Sequence, residues 1–144
     1  MPLLGMAQTT YVPDDNFEDY LENHNQYGFS ATYPNSMGDG IPNNNYVTTA
    51  NISSVISLDV DGQSIYNLTG IEDFTALEDL YCYGNGLSSL DLSNNLNLLS
   101  IDCEGNMLNT LVLNPNNIIK YLDCSENNLT ALDFGSNNVL VWLY

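Results

Sequence analysis

Three thiols, Cys82, Cys103 and Cys124, stand 21 residues apart twice over. Cysteines at a fixed step can bridge, bind a metal, or fill a core as small apolar side chains. Three is an odd number, so intrachain bridging leaves one thiol over. A zinc site needs a cluster of ligands, and the sole histidine, His24, does not accompany these thiols. The plainest reading is a structural ladder of buried small hydrophobes. Carboxylates keep the same step. If equivalent positions stack, Asp102 and Asp123 lie about 5 Å apart by strand spacing, the separation that a retaining glycoside hydrolase uses. An open ladder has no pocket to raise one of the two pKa values, and repetition alone accounts for the pair. No catalytic residue is therefore expected, and no cofactor.

The step of 21 belongs to whole rows. Leu77–Asn95, Leu98–Asn116 and Ile119–Asn137 repeat one frame, L-x-x-L-x-C-x-x-N-x-L, and a further row begins at Leu140 and stops at Tyr144. Val55-Ile-Ser-Leu58-Asp-Val60 carries the same frame with valine for cysteine. Self-similarity at this period is the mark of a leucine-rich-repeat solenoid. Leu80 and Cys82 alternate, which predicts a short strand with one face inward. Leu90 and Leu92 alternate too, giving a second extended segment on the other side of the coil. Asn85, Asn106 and Asn127 fall between the two, where the chain must turn. Their side chains can bond nearby backbone, so stacking makes them an internal ladder. Asn95, Asn116 and Asn137 keep the same step. One coil cannot hold itself together; stacking supplies the hydrogen bonds and the buried faces. The expected fold is an α/β-type repeat solenoid with short parallel strands, few helices, a small N-terminal helical cap and a truncated C-terminus. Residues 8–54 form the cap helix and loop. Residues 55–144 form the solenoid, with coils 55–76, 77–97, 98–118, 119–139 and a partial 140–144.

Stacking would sort the outward strand residues into columns. One is Ser57, Asp79, Ser100, Tyr121, Trp142. The next is Asp59, Tyr81, Asp102, Asp123, Tyr144. The third is Asp61, Tyr83, Glu104, Ser125. Aromatic side chains among acids on one face supply contact area with a polar handle, as interface anchors do. The candidate binding face is Asp79, Tyr81, Tyr83, Asp102, Glu104, Tyr121, Asp123, Trp142 and Tyr144. The bland alternative is a decorated exposed sheet.

Charge narrows the partners. The 144 residues hold 18 Asp and Glu against a single Lys or Arg, for a formal charge of −17. The single basic residue is Lys120. No basic surface exists to neutralise phosphates, which excludes nucleic acid, and anionic membranes are disfavoured for the same reason. No stretch reaches the length of a membrane span. The composition suits a soluble surface, a cationic partner or divalent cations.

At the N-terminus, Met1–Gln8 is read as the end of a secretion signal, 1–7, with the mature chain from Gln8. Residues 8–13 are a lead-in. Asp15-Asn-Phe-Glu18 matches a capping box, and Phe17, Tyr20 and Leu21 form the apolar stripe of a short helix. His24, after its end, reads as ordinary surface. Residues 24–45 are loop, broken by Pro34, Gly38, Gly40 and Pro42. Met37–Asn45 offers oxygen ligands to calcium but lacks the EF-hand spacing; a turn-rich loop is the plainer reading. Gly70–Phe74 predicts a helical turn. At the other end, Leu140, Val141 and Leu143 carry no polar cap, so further repeats are expected to follow.

The frame resembles the leucine-rich-repeat proteins secreted by Bacteroidetes, and it is similar to the cysteine-ladder repeats of internalin J type. Tyr11-Val-Pro-Asp-Asp-Asn-Phe17 and Leu68–Phe74 look like the N-terminal region of the same Bacteroidetes group. The resemblance covers about 11–144. It implies a non-enzymatic, secreted or cell-surface module for protein recognition or adhesion. A structural spacer, or an ancillary glycan-binding module of a larger secreted protein or hydrolase, is the alternative. Val112 and Asn114-Pro115 depart from the family pattern at the second extended side, where they are expected to bend it.

Overall fold

The strands of this sequence are short because each coil must turn again after one brief run of alternating outward and inward positions. The computed structural model describes residues 7–144; the expected secretion-signal remnant, apart from Ala7, lies outside them. The chain begins with β1 (Thr9–Tyr11) and α1 (Asp15–Asn23). A loop leads to β2 (Tyr46–Thr48), antiparallel to β1, and α2 (Thr49–Ile52) follows. Then come β3 (Ser57–Asp59), β4 (Asp79–Tyr81), β5 (Ser89–Leu92), β6 (Ser100–Asp102), β7 (Thr110–Leu113), β8 (Tyr121–Asp123) and β9 (Trp142–Leu143). They form two parallel sheets on opposite sides of the coils, β3-β4-β6-β8-β9 and β5-β7. A 3-10 turn, Ile71–Asp73, sits on the outer side of the first coil.

The central residue of each three-residue strand in the large sheet points inward. Leu58, Leu80, Ile101 and Leu122 are buried, and one core runs from Val12 in the lead-in to Leu122. Cap and solenoid thus share a single interior. Cys82 and Cys103 are fully buried in it, while Cys124, in the last complete coil, is half-buried. All three thiols are free. Burial pushes each thiol up, reinforced by the next cysteine of the column for Cys82 and Cys103 and by Asp123 for Cys124.

The asparagines supply what short strands cannot. Asn106 donates to Cys82 O at 2.9 Å and Cys103 O at 3.1 Å, and its Oδ1 accepts from Leu87 N at 3.1 Å. Asn85 does the same for Val60 O, Cys82 O and Ile65 N. Asn127 does it for Cys103 O, Cys124 O and Leu108 N. Each therefore ties its own turn to the coil before it. On the far side the inward residues are Asn95, Asn117 and Asn137; Asn116, expected there from its step of 21, is exposed. The turn after β7 keeps its length, and its inward asparagine sits one place later. Val112 and Asn114-Pro115 do not bend that side either: β7 pairs with β5 over all four residues, and Asn114 donates to Ser93 O at 2.8 Å.

The cap differs from its expected form in three respects. The residues before α1 are a strand, because Thr9–Tyr11 find a partner in Tyr46–Thr48, a pairing no local pattern announces. The helix cap is Asp14, one residue earlier than the capping box placed it, with Oδ1 accepting from Asn16 N and Phe17 N. Its Oδ2 accepts from Tyr66 N and Asn67 N in the first coil, so one carboxylate fixes the helix to the solenoid. Glu18 does not bond back to the cap. Glu18 accepts from Asn44 N and Asn45 N, and Glu22 from Asp39 N and Gly40 N. Both are buried, and together they pin the loop against the helix. His24 is the helix C-cap, half-buried, with Nδ1 2.8 Å from Tyr20 O and its ring stacked on Tyr20.

Candidate functional site: the outer face of the large sheet

The register of the large sheet sets the columns. Ser57 pairs with Asp79, Asp79 with Ser100, Ser100 with Tyr121 and Tyr121 with Trp142. Asp59, Tyr81, Asp102 and Asp123 follow one another in the same way. Tyr144 continues this column: its N–H donates to Leu122 O, and its carbonyl accepts from Cys124 N. Beyond the strand ends, Gly62 N donates to Tyr83 O, Gly84 N to Glu104 O and Gly105 N to Ser125 O, which places Asp61, Tyr83, Glu104 and Ser125 side by side. All nine residues of the candidate face lie together on one side of the molecule.

Local chemistry explains why acids recur here. Asp102 Oδ1 accepts from Glu104 N at 3.2 Å, and Asp123 Oδ1 accepts from Ser125 N at 3.0 Å and Ser125 Oγ at 2.6 Å. Asp59 Oδ1 accepts from Asp61 N at 3.1 Å. Each aspartate starts the turn with one oxygen and leaves the other outward, as short acidic side chains do. The second row holds Tyr81 at this position, and there Tyr83 N is satisfied from the coil before, by Asp61 Oδ1 at 2.7 Å. The turn then crosses a left-handed residue: Gly62, Gly84, Gly105 and, in the last row, Glu126 with φ 51°.

The acids feel one another. Partial burial and then the charges of Asp59 and Asp102 raise the Asp61 carboxyl above its ordinary range. Glu104 is raised as well, by desolvation and then by Asp123, Asp102 and Glu126. The Tyr121 phenol is raised by desolvation, Asp123 and Asp102. Against 18 Asp and Glu the chain sets a single Lys or Arg, Lys120.

Aromatic rings bracket the acids at both ends. Tyr121, Asp123, Trp142 and Tyr144 line a shallow recess of about 440 Å³. Its Trp142 and Tyr144 rings are nearly parallel, 6° apart in plane with centroids 6.4 Å apart, and Tyr121 leans on Tyr144 at 6.4 Å. At the other end a cleft of about 560 Å³ is walled by Tyr27, Ile56 and Tyr81, with Asp59 and Gln26 at its edge. The cap residues Tyr27 and Gln26 were not legible as part of the face. An exposed tyrosine in a loop was the only signal, and nothing in the linear sequence sets that loop beside the first coil.

Asp102 and Asp123 are neighbours in register, on an open sheet face. The Met37–Asn45 loop gathers no ligand set. Asp39 is engaged by Ile41 N and Asn44 Nδ2, and Glu22 by two loop N–H groups. Among the described residues no group of three or more His, Cys, Asp or Glu side chains is placed to hold a metal ion. Among those residues, too, no helix is long and apolar enough to cross a membrane.

No protein-family model matches the chain. It is 34% identical over 85 residues to internalin J of Listeria monocytogenes, a stretch that covers 59% of this chain and 8% of that protein. The solved functional domain of that internalin, described as including a cysteine ladder, superposes with a TM-score of 0.74 at 32% identity, over 97% of this chain and 29% of that one. The CBM51-2 and INT domains of Clostridium perfringens ZmpB share the fold at a TM-score of 0.52 and 19% identity, over 73% of this chain and 19% of theirs. The fold is the cysteine-ladder leucine-rich-repeat solenoid, and the chain is similar to the repeat domain of an internalin. It spans less than a third of the length of these relatives.

Proposed function

We propose that this chain is a non-enzymatic recognition module that binds a protein partner through the outer face of its large sheet, on a secreted or cell-surface protein. One observation carries the reading. Five aromatic rings, of Tyr81, Tyr83, Tyr121, Trp142 and Tyr144, and the carboxylates of Asp59, Asp61, Asp79, Asp102, Glu104 and Asp123 share one ordered, open face. Rings held by a rigid sheet present contact area at little entropic cost, the usual property of interface anchors. The far sheet has no counterpart, its outward positions being Ser89, Asp91, Thr110 and Val112. Similarity to an internalin supports a recognition role, and a glycan is the alternative ligand for such rings.

The test compares two triple variants on an array of purified extracellular proteins. Tyr81→Ala, Tyr83→Ala and Tyr121→Ala together should abolish the hits. Asp91→Ala, Thr110→Ala and Val112→Ala together, on the opposite sheet, should keep them. Hits that survive the first set, or that fall with the second, reject the face as the binding surface and leave the chain as a structural spacer.

A further inference from the structure

We infer, building on the reading of this face as a recognition surface, that Trp142 and Tyr144 form a slot for the guanidinium of a partner's arginine, with Asp123 as its counter-charge. The geometry is that of two flat walls. Residues two apart on a strand lie about 6.6 Å from one another, and here the rings at these positions face each other in parallel with centroids 6.4 Å apart. A planar group touching a ring on each side needs about 7 Å between them, twice a carbon contact distance. A small change of rotamer opens that room, and both residues are more than half exposed, at 56% and 57%. Tyr121 leans on Tyr144 from the neighbouring strand and gives the slot its third side.

Charge then chooses the occupant. Asp123 lines the same recess. Ser125 N and Ser125 Oγ both bond to its Oδ1, which leaves Oδ2 for an incoming donor. Asp102 stands next to it in register, with Glu104 two residues on along that strand. Cations held over aromatic faces gain from the ring quadrupole, the more so when desolvated. A guanidinium is flat, stacks on rings and offers paired donors to a carboxylate, whereas an ammonium is a hydrated point charge that leaves two flat walls unfilled. The cleft at the other end of the face repeats the combination, with Tyr27 and Tyr81 beside Asp59. A protein of net charge −17 with a single basic side chain cannot fill such sites from its own surface.

Trp142 is the chain's sole tryptophan, so its fluorescence reports on the slot directly. The probes are acetylated, amidated hexa-arginine, hexa-lysine and hexa-citrulline peptides, titrated into the intact chain at ~0.15 M salt. Hexa-arginine should move the emission saturably. Hexa-lysine should bind at least about threefold more weakly, and the uncharged, flat citrulline peptide should not bind. Tyr144→Ala and Asp123→Asn, which keep the reporter, should each weaken hexa-arginine by about three- to tenfold, the range of one cation–π or charge-assisted contact. Equal affinity for arginine and lysine, or an arginine affinity unmoved by both variants, overturns the slot. So does a neutral oligosaccharide that moves the emission when hexa-arginine does not. The wider reading fails separately, through the tyrosine triple variant. Partner binding that needs Tyr81, Tyr83 and Tyr121 but ignores Tyr144→Ala and Asp123→Asn keeps the face and discards the slot.

Discussion

Replacing Asn106 by alanine tests the device that holds the columns in register. Asn106 is 7% exposed and touches three backbone groups that matter. Leu87 N has no other acceptor, so the substitution orphans a buried N–H, at about 1–3 kcal/mol. Cys82 O and Cys103 O each keep a second donor, from Asn85 and Asn127. They lose only a net bond apiece, about 0.5–1.5 kcal/mol each. The total is roughly 2–6 kcal/mol, a large part of the ~5–15 kcal/mol that holds a typical domain together. Asn127 makes the corresponding bonds in the last complete coil, where it is only half-buried. Water can replace part of what it provides, so Asn127→Ala should cost about half as much or less. Guanidinium chloride unfolding followed by far-ultraviolet circular dichroism gives both midpoints. Amide exchange at Leu87 reports the orphaned group itself. An Asn106→Ala midpoint within about 0.5 kcal/mol of the parent, or an Asn127→Ala cost equal to that of Asn106→Ala, would refute the ladder as the source of register.

Three further outcomes follow from the same geometry. Glu126→Gly should stabilise by about 0.5–1 kcal/mol in thermal melts, because glycine relieves a left-handed non-glycine residue at φ 51° at a smaller entropic cost. Melting temperature should rise as pH falls from 7 towards the ordinary carboxylate range of about 4. Glu22 is raised by burial, and Asp61 and Glu104 by desolvation and neighbouring acids. The folded state therefore holds these protons more tightly than the unfolded chain, and their destabilising contribution is present above the folded pKa and lost below it. A melting temperature that falls over that window contradicts the assignment. In the native protein, Cys124 should react first with a thiol reagent, and Cys82 and Cys103 only at the rate of unfolding, since they are fully buried; equal rates would place the column outside the core.

The step of 21 made the large sheet legible, since each strand is a period-2 triplet whose central residue is apolar. The columns of the face followed from that alone. The cap helix was legible from the apolar stripe of Phe17, Tyr20 and Leu21, but what docks it was not. Its contacts are long-range and polar: Asp14 to Tyr66 N, Glu18 to Asn44 N, Glu22 to Asp39 N. An acid in a helix reads as solvent-facing, and only the fold reveals loop N–H groups waiting for it. The cleft walled by Tyr27 was hidden behind the same ignorance.

Asn117 shows why the recognition face tolerates this. Between Asn95 and Asn117 the step is 22, yet β6 and β8 pair in the same register as β4 and β6. A slip of one residue within a strand would turn every outward side chain into the core. No residue is added: the turn after β7 is as long as the one after β5, and its inward asparagine is taken from two adjacent ones, Asn116 and Asn117. Asn117 donates to Asn114 O and Phe134 O, so the turn still closes and still joins its neighbour. The choice of which turn residue points inward thus varies on the side of the coil away from the aromatic and acidic columns. Those columns are fixed by two constraints, the buried central strand residue and, from the second coil on, the asparagine that ties each turn to the one before. The outward residues obey neither constraint. They are free to vary from coil to coil, between serine, aspartate, tyrosine and tryptophan, without moving the scaffold. A surface whose geometry is fixed while its chemistry is free is what a recognition module requires.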